Sequence, residues 1–331
     1  MRYLVAGLGS IGRRHLTNIK KVDPQATITI WHTHTKKDEI KDQKANGDRI
    51  VYSFEEAVHP KPDIAFITTP SSTHIGMAKK LVEKKIDLFI EKPLSIDMAG
   101  VDELLALANK NDTKIMVGYN FRFHHPLQLM KECIDKRKIG RIISIHAEVG
   151  QYLPEWRPGT DYRKSVSANR NLGGGAILEL SHELDYVRWF AGEVTSVTAV
   201  ADHISDLEMD VEDAAEIILR FANGALGSVH LDMIQRLSTR QCRVIGSEGT
   251  IVWDGNTDSV MLYTAASKAW SEVHPAQKVD RNEMYIGELQ HMIHCVKERR
   301  APDITGEDGR RVLEIALASL QSSKEQRCIH L

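Results

Sequence analysis

Short apolar runs alternate with stretches of helical periodicity through the first third of the chain. The runs that we predict as strands are Tyr3–Ala6, Ile28–Trp31, Ile50–Tyr52, Ile64–Thr68, Leu88–Ile90 and Ile115–Val117. Unbroken apolar runs of this length suit strands that are buried on both faces, as in a parallel sheet with helices on either side. Between them, Ser53 and Glu56 have the spacing of a capping box at a helix start. The pattern therefore predicts a series of βαβ units.

The pattern changes near residue 120, after which several predicted strands follow one another without a helix. They are Ile142–Ile145, Val194–Val200, Ala215–Phe221, Ala225–Leu231, Gln241–Ile245 and Val260–Tyr263. Asn223-Gly224 between two of these runs is a hairpin signal, because both residues tolerate positive φ. The helices that we predict to cover one face of this sheet are Pro126–Lys136, Ala176–Phe190, Glu283–Arg299 and Gly309–Ser322.

These patterns predict an α/β chain of two domains. Residues 1–120 form a doubly wound parallel sheet, and residues 121–331 form an α/β domain with an open, mostly antiparallel sheet. A chain of 331 residues also exceeds the usual size of a single hydrophobic core. The boundary is a change of periodicity, because no flexible linker is evident there.

Composition narrows the possible partners and the compartment. Lys+Arg number 43 and Asp+Glu 45, which gives a net charge of -2 and no support for binding nucleic acid or an anionic membrane. The four cysteines include no C-x-x-C pair, which argues against a thiolate metal site and against a disulfide framework. No apolar run approaches the ~20 residues of a membrane helix, and the run before Gly7 is too short for a signal peptide. We expect a soluble cytoplasmic protein.

The first strand leads into a glycine-rich loop with the spacing G-x-G-x-x-G, formed by Gly7, Gly9 and Gly12 with Ser10 and Ile11 between the last two. The first glycine permits a tight turn, the second lets the backbone approach a pyrophosphate, and the third lets the following helix pack closely. The helix start offers free N–H groups to the phosphates. The motif alone also occurs in loops without a ligand, but its place between a strand and a helix favours a dinucleotide site.

The residues after the second strand bear on which dinucleotide binds. NAD enzymes usually carry an acid there for the ribose hydroxyls, whereas this chain has no carboxylate before Asp38. Thr33 is the hydroxyl that we expect near the ribose, and lysines follow it. The cofactor is therefore predicted to be NAD or NADP, with a lean to NADP. The competing interpretation is an ordinary solvated loop.

Two later strand ends should meet the glycine loop, because the carboxyl ends of parallel strands line the ligand crevice of such a sheet. Thr69, Pro70 and His74 follow the fourth strand, and Glu91 and Lys92 follow the fifth. A lysine there can contact the cofactor and polarise a substrate hydroxyl or carbonyl. For His74 the competing interpretation is a plain helix-start residue, and for Lys92 it is a surface lysine.

A third motif opens with Gly173–Gly175 and continues into a predicted helix that carries Glu179, His182 and Glu183. Positions i, i+3 and i+4 share one helix face, so a carboxylate would lie beside the histidine and tune it as a general base. A solvated helix face and a Glu-x-x-His metal site are the alternatives. The metal interpretation needs a second cluster of ligands, and the sequence shows none, so we predict no metal.

With these motifs in order, the chain resembles the glucose-fructose oxidoreductase, inositol dehydrogenase and rhizopine-catabolism family, written Gfo/Idh/MocA. The matching segments run along essentially the whole chain: GLGSIGRRHL, ITTPSSTH, FIEKPLS, GYNFRF, GGGAILELSHELD and the C-terminal GEDG before the last helix. Glu91-Lys92-Pro93 matches the most diagnostic motif of that family.

The resemblance implies a Rossmann domain followed by an open-faced α/β domain that often supports dimers or tetramers. It implies that Lys92 assists catalysis, that His182 moves the hydroxyl proton, and that Tyr119, Asn120 and Arg122 contact substrate. One departure concerns the histidine helix. The common family pattern is Asp-x-Gly-x-His, whereas Glu179-Leu-Ser-His182 is one residue shorter.

The segment before the glycine helix is rich in side chains that stack on sugars or hydrogen-bond to them. Trp156 and Arg157 are its candidate substrate residues, although a structural or subunit-contact loop is the alternative. We therefore predict an NAD(P)-dependent dehydrogenase for a sugar, an amino or nucleotide sugar, or a cyclic polyol, assembled as a homodimer or homotetramer. A noncatalytic sensor of dinucleotide and sugar is the alternative from another class.

Overall fold

The computed structural model describes residues 1–32 and 47–331. The chain divides into two compact units. The first unit comprises Met1–Asn120 and Tyr285–Arg310, and the second comprises Phe121–Met284 and Arg311–Leu331. Among the described residues, no helix has the length and apolar character needed to cross a membrane.

The first unit is built on a six-stranded parallel sheet. Its strands are β1 (Arg2–Ala6), β2 (Thr27–Trp31), β3 (Arg49–Val51), β4 (Ile64–Ile67), β5 (Asp87–Ile90) and β6 (Ile115–Val117). Its helices before residue 120 are α1 (Ser10–Val22), α2 (Phe54–Ala57), α3 (His74–Glu83) and α4 (Val101–Lys110). The strand order is β3-β2-β1-β4-β5-β6, with every pair parallel. The order reverses beside β1, and ligands bind such sheets at the carboxyl ends of the strands near that point.

The second unit is built on a nine-stranded sheet. Its strands are β7 (Ile142–Gly150), β8 (Val194–Asp202), β9 (Ala214–Phe221), β10 (Leu226–Asp232), β11 (Thr239–Gly246), β12 (Gly249–Asp254), β13 (Ser259–Thr264), β14 (Ala269–His274) and β15 (Ile329–His330). The helices are α5 (His125–Asp135), α6 (Ala176–Glu179) and α7 (His182–Ala191), while α8 (Arg281–Glu298) and α9 (Gly306–Glu325) have residues in both units. The order is β14-β13-β12-β11-β7-β10-β9-β8-β15, and β7 and β10 pair in parallel within an otherwise antiparallel sheet.

The two faces of this second sheet differ in character. One face buries residues such as Ile217 and Val229 beneath α6 and α7. The opposite face, which we call the open face, exposes Val200, Ile218 and Leu226 on the neighbouring strands β8, β9 and β10. An amphipathic sheet usually turns only polar residues to solvent, so exposed aliphatic side chains on this face indicate a surface suited to contact with another surface.

The fold class predicted from the sequence is confirmed, but one predicted helix is wrong. The segment expected as a single helix over Ala176–Phe190 consists of α6 and α7, with a break at Leu180 and Ser181. Most of its residues are buried, so no single face could be identified from the sequence. Glu179 ends α6 and His182 begins α7. The shared helix face predicted for Glu179, His182 and Glu183 therefore does not form.

The second segment of the first unit, Tyr285–Arg310, contains most of α8. The boundary predicted from the sequence places these residues in the second domain. Arg299, directly after α8, donates to the Asp87 carboxylate at the start of β5 at 2.7 Å and to the Asp112 carboxylate at 2.9 Å. Burial raises the pKa of the Asp87 carboxyl, and the Arg299 guanidinium opposes that shift. The ion pairs fix the end of α8 against the start of β5.

Candidate active site

The glycine loop has the geometry that its spacing predicts. Gly7 follows β1 at φ +98°, and a Cβ there would lie 2.8 Å from the Thr68 carbonyl oxygen. A Cβ on Gly12 would lie 2.2 Å from the Gly7 carbonyl oxygen. Thr68 reinforces this packing, because its hydroxyl donates to the carbonyl oxygens of Ala6 and Gly7 at 2.8 and 2.9 Å. Side chains are therefore excluded where β1, β4 and α1 converge.

Gly9 differs from the other two glycines, because a Cβ at this position would meet no protein atom within 4 Å. Gly9 is also the N-cap of α1, where no side chain caps the helix, and α1 has no acidic residue in its first turn. The first N–H groups of a helix need partners and favour an anion. An open approach to these groups fits the pyrophosphate of a dinucleotide. Ser10 and Ile11 belong to this first turn.

The turn after β4 is held by a buried histidine. The two ring nitrogens of His74 lie 2.9 Å from the Thr69 carbonyl oxygen and 3.1 Å from the Pro93 carbonyl oxygen. Burial lowers the pKa of His74. The structure thus places His74 where it ties the turn bearing Thr69 and Pro70 to the turn after β5. A buried ring of this kind supports the turns on either side of it, and the predicted contact of His74 with the cofactor stays a prediction.

Glu91 and Lys92 follow β5 at the same carboxyl edge as the glycine loop. The Glu91 backbone N–H donates to the Ile67 carbonyl oxygen at 3.0 Å, which continues the β4–β5 pairing to this point. The Glu91 carboxylate lies 2.6 Å from Nε2 of His15 on α1. Lys92 is partly exposed, and the following Lys92–Pro93 peptide bond is cis. Glu91 therefore points into the unit, while its neighbour keeps access to solvent.

Three predicted substrate residues follow β6, namely Tyr119, Asn120 and Arg122. Tyr119 is fully buried and Asn120 is 3% exposed. Arg122 donates through Nε and Nη2 to the Asp185 carboxylate of α7 at 3.0 and 2.7 Å, with side chains 9% and 1% exposed. This buried pair commits the Arg122 guanidinium to holding α7. The contact of Arg122 with substrate stays a prediction beside this structural role.

The motif after Gly173–Gly175 brings together some of its predicted residues. Glu179 accepts a hydrogen bond from the Ser167 hydroxyl at 2.9 Å. His182 is partly buried, and its ring meets the edge of Phe121 with the centroids 5.0 Å apart. Glu183 is fully buried and lies 2.8 Å from Nε of Arg240, so it is a structural ion pair and not part of a solvated face.

Trp156 and Arg157 line a small recess in the second unit, whose volume of about 10 Å³ has room for about one water molecule. The lining residues are Leu153, Pro154, Trp156, Arg157, Thr160, Tyr162, Ser165 and Ser167. Because Ser167 also bonds Glu179, the recess adjoins the start of the histidine motif. The Trp156 ring is fixed by its N–H, which donates to the Gln151 carbonyl oxygen at 2.9 Å. Aromatic, guanidinium and hydroxyl groups share this recess.

Sequence reasoning missed residues that support the site from inside. The sequence pattern indicates Thr68 only as the end of a strand and His15 only as part of a helix. Glu288 of α8 lies near His15 and Glu91, although it is 273 positions from His15 and 197 from Glu91 in the chain. A polar residue on the buried stripe of α1 was the available signal for His15. Thr33, the predicted ribose contact, lies outside the described residues.

A doubly wound sheet with a glycine loop at its switch point, joined to an open-sheet α/β unit, defines a dinucleotide-binding oxidoreductase. Comparison with family models agrees. Residues 1–119 match the oxidoreductase family with an NAD-binding Rossmann fold, and residues 127–252 match the GFO/IDH/MocA C-terminal domain. The chain belongs to the Gfo/Idh/MocA family of oxidoreductases.

Individual relatives align with this chain over nearly their whole lengths. The chain is 28% identical to a myo-inositol 2-dehydrogenase of Thermotoga maritima, with 100% of this chain and 98% of the relative covered. It is 26% identical to the scyllo-inositol 2-dehydrogenase (NAD(+)) of Bacillus subtilis, covering 100% and 96%. Among solved structures, a levoglucosan dehydrogenase in complex with NADH superposes with a TM-score of 0.90 at 20% identity, covering 100% and 98%. That last likeness concerns the fold.

Proposed function

We propose that this chain is an NAD(P)-dependent dehydrogenase that transfers a hydride between nicotinamide and a hydroxyl-bearing or keto carbon of a cyclic polyol or sugar. The observation that carries the proposal is the position of Glu91-Lys92-Pro93. This motif directly follows β5 at the carboxyl edge of the parallel sheet. In that sheet β4 lies between β5 and β1, the strand that leads into Gly7–Gly12. A cation is thereby placed at the edge where the fold binds its cofactor.

The residues divide the chemistry as follows. NAD(P), when bound, supplies the nicotinamide carbon that accepts or donates the hydride. The first N–H groups of α1 hold the pyrophosphate, with Gly9 leaving room for it. The Lys92 ammonium stabilises the negative charge that develops on the substrate oxygen during oxidation. His182 accepts the hydroxyl proton, and the Glu179 carboxylate is proposed to assist it.

For the substrate, the inositol dehydrogenases among the relatives favour a cyclic polyol, with sugars and nucleotide sugars as the wider class. The side chains of Trp156 and Arg157 at the recess support this proposal, because a polyhydroxylated ring offers an apolar face to an aromatic ring and hydroxyls to a guanidinium. We propose that the recess contributes to substrate recognition.

For the cofactor, we propose that both NAD and NADP are accepted. The relatives whose names specify a cofactor name NAD or NADH. The sequence favours NADP slightly, because no acid lies between the second strand and Asp38 to repel a 2′-phosphate. The deciding residues, Thr33 among them, lie outside the described part of the chain.

We further propose a cytoplasmic homodimer or homotetramer. All four cysteines are free, and three of them are buried, as suits a reducing compartment. The open face offers aliphatic side chains to a second copy of the chain. Neither nucleic acid nor a membrane is a proposed partner.

A substrate screen tests the function directly. Purified protein is incubated with inositols, levoglucosan, free sugars and nucleotide sugars, each with NAD and with NADP, while nicotinamide absorbance is followed. We expect turnover of a cyclic polyol or sugar, with both cofactors active at equal concentration. Reduced cofactor that binds in calorimetry without any turnover across the screen would contradict the enzymatic proposal and favour a sensor. Activity with NAD alone would contradict the cofactor proposal.

A further inference from the structure

A buried cluster of ionisable groups lies behind Lys92, inside the first unit. It consists of His15 on α1, Glu91 after β5 and Glu288 on α8, with one nitrogen or oxygen atom of each residue lying within 4.8 Å of the others. His15 and Glu288 are fully buried, and the Glu91 side chain is 12% exposed. The cluster joins the glycine-loop helix, the lysine-bearing turn and the returning helix, which are the three parts that must be held together at the cofactor edge.

Glu288 has an unusual environment for a carboxylate. Both of its oxygens are buried and have no hydrogen-bond partner among residues 1–32 and 47–331, and the neighbouring charge is the Glu91 carboxylate. Burial and the neighbouring Glu91 charge both raise the pKa of Glu288 well above its usual value. A buried ionised carboxylate without a cation or donors costs several kcal/mol, so such a group takes up a proton instead.

The contact between His15 and Glu91 fixes the other side of Glu91. An ionised carboxylate only accepts hydrogen bonds, so Nε2 of His15 is the donor at 2.6 Å. The imidazole ring is held between Phe66 and Phe89, with ring centroids 5.1 and 5.0 Å away. Nδ1 of His15 has no hydrogen-bond partner in the part of the chain that the structure describes, so the ring is oriented through its contact with the Glu91 carboxylate.

A bound metal ion is a poorer explanation of the same three residues. Ligand atoms around a tetrahedral zinc ion lie about 3.4 Å apart, given metal–ligand distances of about 2.1 Å. Nε2 of His15 and the Glu91 oxygen are 2.6 Å apart, which is a hydrogen-bonding distance and too short for two ligands of one ion. A hydrogen bond between His15 and Glu91 accounts for this distance.

We propose that Glu288 is protonated in the native enzyme and acts as a positioning residue, which together with His15 holds the Glu91 carboxylate and so fixes the turn that presents Lys92. The effect on catalysis rests on the proposed function, whereas the protonation of Glu288 does not. A neutral Glu288 supplies one O–H donor to a cluster otherwise rich in acceptors. Its ionisation adds a second negative charge beside Glu91 and loosens the turn.

Three further ionisable groups interact with the cluster or with one another beside it: Arg14 of α1, His74 of α3 and Tyr285 of α8. The Arg14 guanidinium lies over the Tyr285 ring at 4.4 Å, and burial raises the pKa of Tyr285. Because these groups are present in every variant below, comparison with the parent isolates the contribution of Glu288.

The first test needs no substrate. In the unfolded chain Glu288 loses its proton near pH 4–5, whereas the folded state retains it to higher pH, so the stability that this proton contributes is lost as pH rises through that window. Glu288→Gln removes the titration. Relative to the parent, Glu288→Gln should gain stability with rising pH by roughly tenfold in the unfolding equilibrium constant per pH unit. Glu298→Gln, at an exposed position of the same helix, is the control and should show no such slope.

The protonated group can also be observed directly. Infrared spectra of the parent at neutral pH should show a protonated carboxyl band that is absent from Glu288→Gln and present in Glu298→Gln. If the band is missing from the parent, or if Glu288→Gln shows no stability slope, Glu288 is ionised and the proposal is overturned. One zinc ion per parent chain that is lost in Glu288→Gln would overturn it in favour of a metal site.

The positioning role is tested on the substrate found by the screen. Glu288→Gln keeps a neutral donor and should retain kcat within about threefold at neutral pH, whereas Glu288→Leu should lower kcat by about 10–100-fold with little change in the KM for the cofactor. The parent should lose kcat at alkaline pH more steeply than Glu288→Gln. Equal kcat in Glu288→Leu and the parent would overturn the positioning role while leaving the dehydrogenase assignment intact.

Discussion

At the scale of single residues, Lys92 is where sequence and structure agree most usefully. It follows a fully buried strand, adjoins Glu91 with its inward carboxylate, and is itself partly exposed. Lys92→Met keeps the length of the side chain and removes its charge. It should lower kcat by about 10²–10⁴-fold, because stabilisation of the developing alkoxide is lost.

The controls for Lys92→Met are cofactor affinity and melting temperature. Both should stay close to the parental values, because the cation itself is not part of the core. Lys80→Met, on the solvent side of α3, is the matched substitution and should leave kcat unchanged. Turnover of Lys92→Met at the parental rate would remove Lys92 from the proposed mechanism.

Residue patterns predicted the ligand edge well and its interior poorly. The spacing of Gly7, Gly9 and Gly12 is a local property, since the backbone contacts that exclude side chains form between a strand and the next helix. Glu288 was not predictable in this way. Its role depends on a contact with α1 and β5 that exists only after more than half the chain has intervened, and a glutamate in an amphipathic helix is ordinarily exposed.

At the scale of elements, the buried pair of Arg122 and Asp185 fixes α7 to the turn after β6. Arg122→Met should destabilise the protein by about 3–5 kcal/mol, because Asp185 stays buried and loses its guanidinium partner. Denaturant unfolding measures this loss. In Arg122→Met/Asp185→Leu much of the stability should return, since no buried charge remains.

The comparison for this pair is an exposed arginine. Arg163 pairs with Asp161 and Glu208 at the surface, so Arg163→Met should leave the unfolding midpoint almost unchanged. An equal loss in Arg122→Met and Arg163→Met would show that the burial of the Asp185 pair does not matter. Full activity per folded molecule in Arg122→Met would contradict the predicted contact of Arg122 with substrate.

Strands were easier to predict than the elements around the histidine motif. β1 to β6 each begin and end within one residue of the predicted apolar run, because continuous burial leaves an unbroken signal. β12, β14 and β15 were not predicted. β14 has mostly exposed residues and β15 only two residues, so neither carries a hydrophobic period. The break between α6 and α7 was not predicted for the opposite reason. Residues on nearly every side of this segment are buried, so the sequence shows no clear hydrophobic periodicity there.

At the scale of the whole molecule, the open face provides a test of assembly. Ile218 is 52% exposed in the middle of that face, and Leu237 is 80% exposed in the loop after β10. If the open face joins two copies, Ile218→Glu should convert the oligomer to monomers, because it buries an unpaired charge at the interface. Leu237→Glu should leave the oligomer intact.

Light scattering coupled to size exclusion measures the mass of each variant. A monomeric parent would end the proposal of an oligomer. An oligomer of unchanged mass in folded Ile218→Glu would show instead that the copies meet through a different surface.

The return of α8 to the first unit bears on how the protein is made. A ribosome delivers residues 1–120 long before Tyr285–Arg310, so β5 is synthesised without the arginine that pairs with Asp87, and His15 without the helix that covers it. The nascent first unit therefore lacks its C-terminal segment until nearly the whole second unit has been synthesised. A gene truncated after codon 120 would encode only the incomplete unit. A separately foldable cofactor unit would also have to contain Tyr285–Arg310.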